Sequence, residues 1–483
     1  MSVLQLRFAK ERTDSIMSTN RNTSRTVELM LVFIALSGCD MHAREFAINP
    51  TQDAVSPQDT GLAPADCRFS GTPAECGDCR CQNVRVSPGD RPSISSDGRF
   101  IAFDSQESLI ECDDNGKRDV YVYDRESHSL SLESARHLST TPGNLDSYHS
   151  NISPNGRYVI FMSNATNLVD GDTNDALDLF VRDRQEETTV RVNVSTSGSQ
   201  GTGNVESWYY WGPKLSGDGR FAVFSSNSRD LVDGDTNDVE DIFVRDLEAA
   251  TTTRVSLSTA GKEGNQWSFG PSISVDGRFV SYTSWASNLV SNDLNEYGDV
   301  FVYDRQLEET TRIEVSFPGF DGSPTDENAI LSADGRSLIF RLGAKGFVVH
   351  DLQVNTTEQL VEQYNDDTVG LLDYGAPLSV SVSGDGHLVA FASASNIRGD
   401  SGEFKGVFVY DRDLRAGTRV SISLDGEPSD GDSRDPSISA DGRFVAYSSG
   451  ATNLAEHDTN GMSDIVVVAV PQANSRSNCS CRQ

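Results

Sequence analysis

The sequence predicts an all-β fold: a seven-bladed β-propeller of four-stranded antiparallel blades, closed by an N-terminal strand on the last blade. Three observations predict it. An anchor segment recurs seven times, and a second pair of short apolar runs follows each anchor. The last copy lacks a fourth run, while a spare one precedes the first anchor. At 483 residues the chain is long for one domain, but repeats make a single large propeller of it.

Taken in order, the chain opens on a targeting segment over 1–39. Arg21 and Arg25 supply a positive region, Leu29 to Leu36 a short apolar run, and Leu36-Ser37-Gly38-Cys39 ends it. The run is too short to span a bilayer as a helix. Lys10, Glu11, Arg12 and Asp14 suit an export signal poorly, so Met17 is read as the true start. Small residues before Cys39 resemble the lipobox of bacterial lipoproteins. That resemblance implies lipidation of Cys39 and an exported, lipid-anchored protein of the bacterial envelope, periplasmic or on the cell surface. Residues 40–66 carry scattered Pro, Asp and Ala and read as a flexible tether. A Cys-rich segment follows at 67–82, then the propeller at 83–471 and a Cys-containing tail at 472–483.

The anchors are SISSDGRFIAF at 93–103, NISPNGRYVIF at 151–161, KLSGDGRFAVF at 214–224, SISVDGRFVSY at 272–282, ILSADGRSLIF at 330–340, SVSGDGHLVAF at 381–391 and SISADGRFVAY at 437–447. An alternating run enters, Asp-Gly or Asn-Gly turns it, and an apolar run leaves, which is the signature of a hairpin. In the second copy the remaining strands are DLFVRD at 178–183 and TTVRVNV at 188–194. The anchors resemble the WD40-like (PD40) repeat of the TolB family of periplasmic propellers over residues 83–470. The resemblance implies a propeller in the cell envelope with a protein partner there. TolB has six blades and an extra α/β domain, whereas this chain has seven copies and no such domain.

The last repeat supplies PSIS at 436–439, FVAYSS at 444–449 and DIVVVAV at 464–470. QNVRVS at 82–87 looks like an outer strand, so 83–87 is expected to pair with the last blade and remove exposed edges. Cys76, Cys79 and Cys81 precede that strand, and Cys479 and Cys481 follow the last one. With Cys67 they make an even set for disulfides in an oxidising compartment, with Cys112 left over. The rival reading is a metal or iron–sulfur site.

Between the second and third strands of several blades lies an acidic loop. It reads DGDTNDALD at 170–178 and DGDTNDVED at 233–241, with weaker forms at 291–299, 111–119 and 456–464. Ca²⁺ takes six to eight oxygen ligands from a curled loop, and the pattern resembles the calcium loop of FG-GAP propellers. That resemblance implies structural Ca²⁺ held by Asp170, Asp172, Asn174 and Asp178, and by Asp233, Asp235, Asn237 and Asp241. The weaker copies contribute Asp293, Asn295 and Asp299; Glu111, Asp113, Asn115 and Asp119; and Glu456, Asp458, Asn460 and Asp464. The alternative is that these are Asx turns without metal.

A net charge of −32 argues against nucleic acid as a partner. No G-x-S-x-G, H-E-x-x-H or phosphate loop is present. The expectation is therefore a monomeric binding or scaffold protein rather than an enzyme. An envelope protein or glycan would dock on the acidic-loop face through Tyr148, His149, Trp208, Tyr209, Tyr210, Trp211, Trp267 and Phe269. The alternative is a Ca²⁺-dependent lactonase or esterase with a channel metal held among Asp90, Asp326, Glu327, Asp373 and Asp435.

Overall fold

Each anchor folds for the same local reason in all seven copies. The anchor serine donates its hydroxyl proton to the Asx residue two positions on, from Ser95 to Asp97 through Ser439 to Asp441, at 2.5–2.7 Å. The same Asx carboxylate or amide oxygen accepts the amide two residues later, and the serine oxygen accepts the amide five residues later. The glycine of the turn sits at positive φ, +75° at Gly98, where only glycine is unstrained. The anchor arginine then clamps the end of the third strand: Arg99, Arg157, Arg220 and Arg278 meet Asp124, Asp183, Asp246 and Asp304 at 2.6–2.7 Å.

The computed structural model describes residues 83–205, 212–295, 297–315, 329–341, 347–360, 379–393, 404–455 and 458–471, all within one unit, Asn49–Gln483. They form seven four-stranded antiparallel sheets and no helix. Blade 1 is Asp90–Ile94, Phe100–Ser105, Asp119–Asp124 and Ser129–Leu132, from inner to outer strand. Blade 7 is Ser433–Ile438, Phe444–Ser449 and Asp464–Ala469, completed by Val84–Pro88. The expected closing strand is thus in place, with Val84 opposite Val467 and Pro88 opposite Asp464. Inner strands of successive blades touch all the way round, and the first touches the last.

The outer strands are shorter than the sequence pattern implies. In blade 2 the strand ends at Arg191, not at 194. The Asn193 side chain takes over as acceptor for the Leu179 amide and also donates to Asp178, ending the ladder. Ser134 and Ser256 do the same in blades 1 and 3.

The core lies at the seams. Seven apolar clusters each draw on two neighbouring blades, as where Phe161 and Val159 of blade 2 meet Val120 and Val122 of blade 1. Aromatic rings wedge between blades: a Cβ on Gly98 would lie 2.3 Å from Phe444, whose other face carries Arg125 at 3.9 Å. Nearer the axis, inner-strand serines accept the next blade's amide. Ser93 takes Ile152, Ser272 takes Leu331, Ser381 takes Ile438 and Ser437 takes Ile94, at 3.1–3.2 Å.

Candidate functional site at the channel mouth

The inner strands of blades 1, 2, 4 and 7 share a bulge, with register shifts at Asp90/Ser93, Tyr148/Asn151, Phe269/Ser272 and Arg434/Ser437. The bulged residues, Arg91, His149, Gly270 and Asp435, all have φ between 52° and 65°. Prolines 92, 271 and 436 follow three of them, and a residue without an amide suits a broken ladder. A left-handed conformation costs a non-glycine residue roughly 1–2 kcal/mol. Bulges re-aim side chains, and here they turn Arg91, His149 and Asp435 to the central channel. There, with Lys214, Arg341 and Ser379, they line a cavity of 590 Å³. Asp90 pairs with Asp104, and Ser105 with Asp119, so the bulges sit at the same end of the blade as the acidic loops.

Charge is organised around this mouth. Buried Asp104 accepts from Arg118 and lies 3.3 Å from Arg91. Asp90 holds Arg434 at 2.9 Å and Arg118 at 3.6 Å, and Asp435 lies 3.6 Å from Arg434. These three carboxylates match three guanidinium groups. Burial, only partly offset by Arg434 and Arg91, pushes Asp435 up to about 6. Burial and the charges of Arg91, Lys214 and Arg118 hold His149 down at about 3, a neutral imidazole. Burial alone lowers Lys214 to about 8. Lys214 is half-buried at the channel wall and meets no carboxylate among the described residues.

Sequence reasoning named Asp435, Asp90 and His149 but missed Arg91 and Lys214. Asp435 lines the channel, while Asp90 stands behind it in the ion-pair network. Asp326, Glu327 and Asp373 lie outside the described residues. A signal for Lys214 existed: aligned on the anchors, it stands where four other copies carry serines 93, 272, 381 and 437.

The acidic loops assemble differently from the expected ligand sets. Asp170 points to solvent and pairs with Arg136 at 3.1 Å, while Asp172 and Asp178 converge on Arg191, each at 3.4 Å. In blade 3, Asp233 is exposed and Asp235 and Asp241 converge on Arg254. Asn115, Asn174, Asn237, Asn295 and Asn460 each donate to the loop's last aspartate, Asp119, Asp178, Asp241, Asp299 and Asp464. Their oxygens accept the amide two residues on. This is Asx-turn geometry. Asp293 meets Arg312 and Asp458 meets Arg85. Asp113 accepts from Tyr121, Glu111 is exposed and Glu456 lies outside the described residues. Among the described residues no group of three or more His, Cys, Asp and Glu is placed to hold a metal ion. In blades 2, 3, 4 and 7 a guanidinium group lies among the loop carboxylates.

Of the expected docking residues, Trp208, Tyr209, Tyr210 and Trp211 lie outside the described residues. Trp267 is exposed, beside exposed Trp285, whose amide donates to the Trp267 carbonyl at 2.9 Å. Phe269 is buried, and half-buried Tyr148 packs on the blade 2–3 core. Cys112, expected to be left over, is disulfide-bonded. Clustering cysteines along the sequence missed it, because pairing follows distance in space. The other cysteines lie outside the described residues.

No protein-family model and no curated protein matches the sequence. Among solved structures, the chain is similar to an oligogalacturonate lyase from Vibrio parahaemolyticus at 13% identity and a TM-score of 0.51, covering 82% of this chain and 95% of that one. It also matches the β-propeller domain of the Trilobed protease from Pyrococcus furiosus at 9% identity and a TM-score of 0.47, covering 80% and 94%. At such identities the likeness is one of fold. It nevertheless overturns the expectation that the chain is not an enzyme: a propeller of this architecture is a lyase, so missing hydrolase motifs do not exclude catalysis.

Proposed function

We propose that this protein binds a small carboxylate-bearing ligand at the mouth of its central channel, and that Lys214 and Asp435 supply acid–base chemistry to it beside a neutral His149. The observation that carries this reading is Lys214. In a chain of net charge −32 it is a channel-lining ammonium with no carboxylate partner among the described residues. Half-burying a cation without a counter-ion costs stability, and an anionic guest supplies the partner. Lys214 at about 8 and Asp435 at about 6 exchange protons near neutral pH, while His149, held at about 3, stays a neutral hydrogen-bond partner. Export and a lipid anchor at Cys39, as the lipobox resemblance implies, and a TolB-like place in the envelope belong to the same reading.

A uronate oligosaccharide is a suitable first probe, being a chain of anionic sugars; the lyase of similar fold is named for such a substrate. Calorimetry and a turnover assay of the mature chain with galacturonate oligomers test the proposal. The expected result is saturable, salt-sensitive binding that falls by at least about tenfold, or 1.4 kcal/mol, in Lys214→Met. Equal binding by wild type and Lys214→Met would place the ligand elsewhere.

A second reading has its own observation. Trp267 (59% exposed) and Trp285 (41%), joined by a backbone hydrogen bond, stand exposed on blade 4, and Tyr297 (45%) is exposed in its acidic loop. Such a surface suits docking of an envelope protein or glycan. Trp267→Ala with Trp285→Ala should then abolish partner capture while channel binding survives.

A further inference from the structure

We infer that the chain supplies its own cations to its acidic loops, with an arginine held among the loop carboxylates in place of a metal ion. Blade 3 carries the argument most fully. Arg254 Nη1 lies 3.1 Å from Asp235, 3.1 Å from Asp241 and 3.0 Å from Glu263, and its Nη2 reaches the Gly234 carbonyl at 3.3 Å. Three carboxylates and a carbonyl are the hard oxygen donors that otherwise hold Ca²⁺. The Asp235 and Asp241 side chains are almost wholly buried, so they need a positive partner.

The arrangement recurs. Arg191 faces Asp172 and Asp178, and Arg312 faces Asp293 at 3.2 Å and Asp299 at 3.6 Å. In blade 7 the partner comes from the closing strand, where Arg85 meets Asp464 at 2.8 Å and Asp458 at 3.6 Å. In blades 2, 3 and 4 the arginine stands directly opposite a phenylalanine of the third strand: Phe180, Phe243 and Phe301.

Blade 1 is the informative exception. Leu132 takes the arginine's place, and opposite it stands Tyr121 instead of phenylalanine. The Tyr121 hydroxyl donates to Asp113, the acid that lacks an arginine. Blade 6 departs the other way: Gly406 replaces the loop-closing aspartate, and Arg419 turns to Ser421 and Ser429. In blades 1, 2, 3, 4 and 7 the buried loop acids have a donor from their own chain: Arg opposite Phe in blades 2, 3 and 4, Arg85 opposite Val466 in blade 7, and Tyr opposite Leu in blade 1. A tethered guanidinium cannot be chelated away, and it leaves no room for a second cation.

The test is thermal unfolding of the full mature chain and of Arg254→Ala, each in EDTA and in millimolar CaCl₂. The wild-type midpoint should be the same in both buffers. Arg254→Ala should lose several degrees in EDTA, because Asp235 and Asp241 then stay buried without their cation. If Arg254→Ala does not fold, blade 1 carries the test. There Tyr121→Phe alone should destabilise, and Tyr121→Phe with Leu132→Arg should recover most of the loss. A calcium-dependent rise of several degrees in the wild type overturns the inference, as does a folded Arg254→Ala with an unchanged midpoint, or a double variant no better than Tyr121→Phe. None of these readouts involves the channel ligand.

Discussion

Lys214 shows how far single residues were legible. Its position in the repeat is plain from the anchors, and serine in four equivalent places marks it as the odd one out. That it faces a channel follows only from the ring. Its lowered pKa makes a stability claim whose sign is definite. The unfolded chain holds more protons than the folded one between about pH 8 and 10.5, so this group's contribution to stability rises as pH rises through that window. Below pH 8 the half-buried ammonium is a full penalty. Lys214→Met should therefore stabilise the protein at pH 7 by roughly 2 kcal/mol while removing ligand binding. Urea unfolding across the alkaline range checks this, and the gain should vanish above about pH 10.5. A loss of stability at pH 7 would make Lys214 a structural residue. The acidic loops were half legible for a related reason. Their carboxylates are obvious, but the arginine that answers them lies in another strand, 13 to 19 residues further on in blades 2, 3 and 4, or in blade 7 across the whole chain.

At the scale of elements, the hairpins, the blade order and the closing strand were all visible, because alternation and Asp-Gly turns are local signals. The bulges were not. A bulge is one residue out of register, and only the strand pairing of Tyr148 with Met162 and Asn151 with Ile160 exposes it. The early end of the outer strands was hidden too, since it depends on Asn193 capturing a backbone amide across the sheet. The anchor turn carries a prediction of its own. Gly98→Ala must accommodate a Cβ 2.3 Å from the Phe444 ring at a φ of +75°. It should cost roughly 2–4 kcal/mol by loosening the seam between blades 7 and 1. Gly116, also at positive φ but with nothing within 4 Å, is the control, and Gly116→Ala should cost only about 1 kcal/mol. Equal losses in urea unfolding would remove the seam from the explanation.

The whole molecule is held by closure. Val84–Pro88 is the fourth strand of blade 7, and Asn83 adds side-chain bonds to the Ile422 and Leu454 carbonyls. Deleting 83–88 should expose the edge of Asp464–Ala469 and produce aggregation on heating, seen by light scattering. Closure also creates the one feature no single repeat contains: a mouth where blades 1, 2 and 7 contribute Arg91, His149 and Asp435 in left-handed bulges. The absence of catalytic motifs favoured a non-catalytic reading, and the fold likeness to a lyase removed that ground. The central claim is that these strained residues are kept for a ligand and not for the fold. The thermal midpoint of His149→Gly, measured alongside its affinity for galacturonate oligomers, tests that most directly. Glycine keeps the bulge at a φ of 55° without strain and removes only the imidazole. The account predicts a midpoint unchanged or raised and an affinity at least about tenfold weaker. A lowered midpoint with affinity intact would mean that His149 serves the architecture, and the channel mouth would lose its standing as the functional centre.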